Sequence, residues 1–132
     1  HCGEVGCGQV VKLINNCLLF ENVAAIAEMM VVAERAGVTG EKLIQAVGLG
    51  SGNSFALQNH AKKAMAPRDF PLKAFPSTYT LKDLGYAIEL AEQMGVSPRV
   101  ARLAASFYQE AVDDGFGEEY FPAIIKLVDQ QA

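Results

Sequence analysis

The sequence predicts an all-α domain of about six helices wrapped around one long central N-terminal helix. Three observations predict it. An apolar-rich stretch runs from Gln9 to Ala36 without a single Pro or Gly. Glycines and prolines then punctuate a series of shorter segments with helical apolar spacing. Nowhere does an apolar/polar alternation of period two appear between turn residues, which argues against a sheet.

The first helix covers Gln9–Ala36 and stops at Gly37. At about 1.5 Å per residue it spans roughly 42 Å. Its apolar residues, from Val10 and Leu13 through Phe20 to Met30, face almost every direction, so the helix is expected to lie at the centre, covered on several sides. Thr39 caps a short second helix to Val47, which Gly48, Gly50 and Gly52 terminate. A third helix runs from Ser54 to Ala66, where Pro67 ends it, and Arg68–Ser77, with Pro71 and Pro76, reads as an extended connection. The fourth covers Ser77 or Thr78 to Met94, with Leu81, Leu84, Ile88 and Ala91 in register and Gly95 behind it. Ser97 and Pro98 supply an N-cap and a first-turn proline for the fifth helix, which ends at Gly115. Pro122 opens the sixth, to about Gln130. No repeat, low-complexity segment or linker divides the chain, so residues 1–132 form one domain.

Composition narrows the function classes. A chain of 132 residues can bury roughly 65 to 70% of its unfolded surface and needs no staple. With 51% hydrophobic and 20% charged residues and a mean hydropathy of +0.16, it is oilier than a lone soluble domain requires. A partner surface is expected to cover the surplus. A net charge of −4 without any Lys/Arg cluster gives no footprint for nucleic acid or anionic lipid. The apolar runs Val23–Ala27 and Met29–Ala33 fall far short of the roughly 20 residues of a spanning segment, so no membrane partner is expected. Cys2, Cys7 and Cys17 crowd into the start of the chain and, with His1 and His60, offer no metal-ligand spacing, so neither a disulfide framework nor a metal is expected. No signal peptide is visible and the chain opens like the middle of a larger protein. The expected compartment is the cytoplasm, or the mitochondrion for a parent carrying a transit peptide.

Lys12 and Asn16 stand four apart and so share one face of the first helix. In an arbitrary helix such a lysine snorkels to solvent. Against the apolar wall of a cleft, its ammonium is instead pulled towards the working range of a general acid or base, with Asn16 bonding a substrate hydroxyl or orienting the ammonium. Gly6 and Gly8 just upstream bring backbone close to whatever Lys12 faces, and the helix N-terminus favours an anion.

At this point the spacing His1-x-Gly3-x-x-Gly6-x-Gly8-x-x-x-Lys12-x-x-Asn15-Asn16 resembles the helix-opening signature of the 3-hydroxyisobutyrate dehydrogenase, or β-hydroxyacid dehydrogenase, family. Phe75-x-x-x-Tyr79-x-x-Lys82-Asp83-Leu84-x-x-Ala87 is similar to the family's second signature, with Tyr79 in place of the usual leucine. Ser51-Gly52-Asn53-Ser54 falls where the family carries a Ser/Gly loop. The resemblance spans the whole chain and implies a helical C-terminal domain like that of 6-phosphogluconate dehydrogenase, which serves catalysis and dimerisation. It further implies an N-terminal Rossmann domain, not in this chain, that holds most of an NAD or NADP cofactor. Lys12 is then the general acid/base for hydride transfer and Asn16 its assistant. Lys82 approaches the cofactor, while Gly8, Ser51, Phe75 and Asp83 contact a small carboxylic acid substrate, either 3-hydroxyisobutyrate or a semialdehyde or 2-hydroxy-3-oxo acid. The resemblance also implies a homo-oligomer, dimer or tetramer, and an isolated domain that is inactive.

Where the family often has Asp-x-Ser-Ala before its last helix, this chain reads Glu118-Glu119-Tyr120-Phe121-Pro122-Ala123, which opens the question of which acid is preferred. Two other readings compete. A 6-phosphogluconate dehydrogenase fragment would carry His where Asn15 stands and a longer helical domain. A non-catalytic helical dimerisation or partner-binding module would have no need of Lys12, Asn16 and Lys82.

Overall fold

The computed structural model describes residues 3–132; His1 and Cys2, part of the helix-opening signature, lie outside the described residues. The fold is all-α. Its elements are α1 (Cys7–Arg35), α2 (Gly40–Val47), a π-helix (Leu57–Met65), α3 (Ser77–Gln93), α4 (Arg99–Asp113), a 3-10 turn (Phe121–Ile124) and α5 (Ile125–Asp129). Among the described residues there is no strand, only the isolated bridges Leu72↔Glu119 and Pro76↔Tyr120, which tie the extended connection to the segment before α5.

Helix boundaries follow local chemistry. Gly6, at φ 95°, turns the chain into α1 two residues before the expected start, a conformation that costs a Cβ-bearing residue dearly. At the other end Gly37, also at φ 95°, lets Val38 N–H reach back to the Ala33 carbonyl at 2.9 Å. Thr39 caps α2 as expected, its Oγ1 accepting from Lys42 N–H at 3.3 Å. The cap expected at Ser97 does not form: α4 begins one residue later, after Pro98, with no side-chain cap. Gly115, at φ 94°, ends α4 as expected.

The third helix departs from expectation in its winding. Ser54 Oγ starts it by accepting Leu57 N–H at 3.0 Å, but over Leu57–Met65 the chain is π-wound, and Ala66 N–H donates to the Ala61 carbonyl five residues back at 2.9 Å. The wider winding still buries Leu57, Ala61, Ala64 and Met65 on one side. Apolar spacing over nine residues fits either winding, so the sequence could not separate them.

The core gathers on the C-terminal half of α1. Phe20, Val23, Ala24, Ala27, Met30 and Val31 are buried, at intervals of three and four that trace one face. Every other helix touches α1. Leu84 of α3, Tyr108 of α4, Met65 of the π-helix, Ile124 of the 3-10 turn and Ile125 of α5 close over it. α1 is central, as expected, and the chain's own elements cover its C-terminal half: no residue of 7–19 is buried, and Val11, Ile14 and Leu18 are about half exposed or more. The six remaining elements leave much of the N-terminal half open. By length and mean hydropathy, 1.5 over an 18-residue window, α1 also meets the requirement for a membrane-spanning helix, which a count of unbroken apolar runs had not credited to it. All the other elements pack against it, and 33% of that window is buried.

Arg68 fastens the far end of the domain. Its guanidinium donates to Glu34 at 2.7 Å and 3.2 Å and to Asp129 at 2.9 Å twice, joining α1, the connection after the π-helix and α5. This residue sits at φ 54°, a left-handed backbone that the two ion pairs hold in place.

Candidate active site

Lys12 and Asn16 project from one face of the N-terminal half of α1, opposite the first turns of α3. Between the two helices lies an open groove of about 300 Å³ lined by Gln9, Lys12, Leu13, Asn16, Asp83 and Tyr86. Three of the residues expected from sequence, Lys12, Asn16 and Asp83, are therefore brought together from segments some seventy positions apart. Lys12 is exposed, so the apolar surround expected for it is not furnished by the described residues. Asn16 and Asp83 are partly buried.

Continuing the same face of α1 by another turn brings Phe20. Its ring stacks on Phe75 at 5.9 Å and 19° and meets Phe121 edge-on at 5.2 Å. Tyr108, fully buried, donates its hydroxyl proton to the Phe20 carbonyl at 2.8 Å. The connection that carries Phe75 is fixed from behind, because its carbonyl accepts Phe121 N–H at 2.9 Å and the Pro71 carbonyl accepts Tyr120 N–H at 3.1 Å. Phe75 does not line the Lys12 groove. At 38% exposure it forms a firm aromatic floor two turns away along the same face.

The other expected residues are placed less closely. Lys82 is exposed at the rim, its ammonium 6.0 Å over the Tyr86 ring. Ser51 sits exposed on the turn between α2 and the π-helix and does not line the groove. Neither does Gly8, and a Cβ there would meet nothing within 4 Å. The chain's own atoms thus demand glycine at Gly6, through its backbone angle, and not at Gly8.

Sequence reasoning missed Gln9, Leu13 and Tyr86 as groove residues. The signal was present: Gln9 lies three before Lys12, Leu13 three before Asn16, and Tyr86 three after Asp83, so each shares its partner's helix face. On the other flank of α1, Asn15, Leu19 and Asn22 form a hollow with Leu18, Phe55 and Ala56. A larger hollow of about 690 Å³ lies away from Lys12, between α2 and the π-helix, with Glu41, Gln45, Gln58 and Lys62 at its edge. His60 on the π-helix is half-buried against Phe55, Tyr120 and Phe121, and its Nδ1 has no hydrogen-bond partner. Burial, with Lys63 adding to it, pushes this imidazole below its usual value of 6.5. Among the described residues no group of three His, Cys, Asp or Glu side chains could hold a metal ion.

Residues 6–128 match the protein family described as "NAD-binding of NADP-dependent 3-hydroxyisobutyrate dehydrogenase". The chain is 32% identical over 130 residues to a 2-(hydroxymethyl)glutarate dehydrogenase of Eubacterium barkeri, covering 98% of this chain and 43% of that protein. It is 32% identical over 135 residues to an NAD-dependent L-serine dehydrogenase of Pseudomonas aeruginosa, covering 98% and 45%. Among solved structures, a Mycobacterium tuberculosis 3-hydroxyisobutyrate dehydrogenase with L-serine superposes with a TM-score of 0.86 at 28% identity, covering 97% of this chain and 45% of the other. The chain spans less than half the length of each of these proteins.

Proposed function

This chain belongs to the 3-hydroxyisobutyrate dehydrogenase family, and from that membership we propose that it is the helical C-terminal part of an NAD(P)-dependent oxidoreductase acting on a small β-hydroxyacid such as 3-hydroxyisobutyrate or the corresponding semialdehyde. The observation that carries the reading is the meeting of Lys12, Asn16 and Asp83 in one groove between α1 and α3. A lysine, a primary amide and a carboxylate around a space of about 300 Å³ suit a substrate of few atoms bearing a hydroxyl and a carboxylate.

In this reading Lys12 Nζ takes the hydroxyl proton as the alcohol is oxidised and returns a proton to the carbonyl oxygen in the reverse direction. Asn16, one turn further along, holds the same oxygen in line. The nicotinamide, when bound, supplies the hydride acceptor or donor. The groove is too small for a whole dinucleotide. What fits here is a single contact, from the exposed Lys82 ammonium at the rim, which makes no ion pair among the described residues. We assign the remaining contacts to a nucleotide-binding domain outside these residues, so the chain by itself is inactive and binds NAD(P) weakly. The turn carrying Ser51 and the first-turn Gly8 would meet the substrate only where that second domain closes the cleft.

The exposed apolar residues Ile14 and Leu18 of α1 and Val100 and Leu103 of α4 support self-association as a dimer or tetramer, a second copy covering what the six shorter elements leave open. A cytoplasmic or mitochondrial setting fits an enzyme of this class.

Lys12→Ala in the longer enzyme tests the central claim. Turnover should fall by about 10² to 10⁴ while cofactor affinity changes little. Turnover within a few-fold of the parent would remove Lys12 from the chemistry.

A further inference from the structure

Four of the six side chains around the Lys12 groove are polar or charged: Gln9, Lys12, Asn16 and Asp83. The hydroxyl and carboxylate of a β-hydroxyacid find partners among them. Leu13 and Tyr86 are the apolar surfaces that remain, one on each wall. Among the described residues, this pair is the apolar surface that the groove offers to a substituent on the substrate. Tyr86 lies three residues after Asp83 on α3, so its ring stands beside the carboxylate and faces the α1 wall. It is 50% exposed, which leaves ring surface free for a ligand to cover. The Lys82 ammonium lies 6.0 Å from the ring centroid, at the outer reach of a cation–π attraction.

Resting on the dehydrogenase reading above, we propose that Tyr86 is a specificity-determining residue, its ring receiving the substituent on the carbon between the carboxylate and the hydroxymethyl group of the substrate. The ring contributes apolar surface and shape. Its hydroxyl is not required.

The test compares two acids differing only by one methyl at that carbon, 3-hydroxypropionate and 3-hydroxyisobutyrate, in the longer enzyme. The readout is the ratio of their kcat/KM values. Tyr86→Ala should lower the ratio of branched to unbranched acid by about tenfold, the usual discrimination that one carbon commands in an apolar contact. Tyr86→Phe should leave the ratio within about twofold of the parent, since the ring remains. Should Tyr86→Ala fail to fold by circular dichroism, Tyr86→Gln keeps length and helix propensity on this half-exposed position and carries the same expected fall. An unchanged ratio in the folded Ala or Gln variant overturns the proposal, as does an equal loss for both acids, which would mark a merely structural role. Failure of the underlying reading is visible separately: the parent would then turn over neither acid, or Lys12→Ala would retain activity.

Discussion

Tyr108→Phe removes one oxygen from the middle of the domain, and the structure sets the size of the consequence. Tyr108 is fully buried, and its hydroxyl donates to the Phe20 carbonyl at 2.8 Å, linking α4 to α1. Phe20 is an interior residue of α1, so its carbonyl also accepts the helical N–H four residues on and is not orphaned when the phenol goes. Loss of the hydroxyl therefore costs the net value of a hydrogen bond, about 1 kcal/mol, rather than the larger penalty for stranding a buried polar group. The ring stays, and with it the edge-on contact to Phe20 at 6.2 Å and the tilted contact to Phe121 at 6.4 Å, so no cavity larger than an oxygen opens. Urea unfolding of the chain should show a lower midpoint with an unchanged slope, and a melting temperature lower by about 3 to 6 °C. A destabilisation above about 3 kcal/mol would mean that the phenol holds something beyond this bond. No change at all would mean that the bond does not form and that Phe20, one turn beyond Asn16 on α1, is not anchored by Tyr108.

Arg68→Ala should destabilise by about 1 to 2 kcal/mol, a modest figure because Glu34 and Asp129 are partly exposed and solvent screens them. Arg68→Gly should cost less than Arg68→Ala, since only glycine relaxes a backbone at φ 54°; equal melting temperatures for the two would refute the strain argument. His60 has a folded pKa below its unfolded value of 6.5, so the unfolded chain binds the proton more readily. Stability is then full above about pH 6.5 and is lost as pH falls through and below it, and His60→Phe should flatten this loss between about pH 7.5 and about pH 5.5 in denaturant titrations. A variant with the same acid sensitivity as the parent would exonerate His60. The chain should sediment as a discrete dimer or larger species, and Leu18→Glu on the exposed face of α1 should shift it to monomer; a parent that stays monomeric at high micromolar concentration refutes the self-association proposal.

The amino-acid order determined a good deal unaided. Helix starts and stops were written locally, because a positive φ needs Gly37, Gly95 or Gly115, and because Thr39 caps its own helix three residues on. The pairing of Lys12 with Asn16 followed from helical repeat alone, and the two signature segments around Lys12 and Lys82 placed the chain in its family. Local pattern could not tell the π-winding of Leu57–Met65 from α, since buried Leu57, Ala61, Ala64 and Met65 stand at intervals that an α-helix also offers. It did not say which stretch of α1 the chain's own elements would cover, because apolar residues on every side do not say which side has neighbours. That Asp83 and Tyr86 face Lys12 while Ser51 and Gly8 stand off the groove was decided by the tertiary structure, which sets α3 beside the N-terminal half of α1. Distances between segments some seventy residues apart depend on how helices pack, and no short-range rule of sequence carries that information.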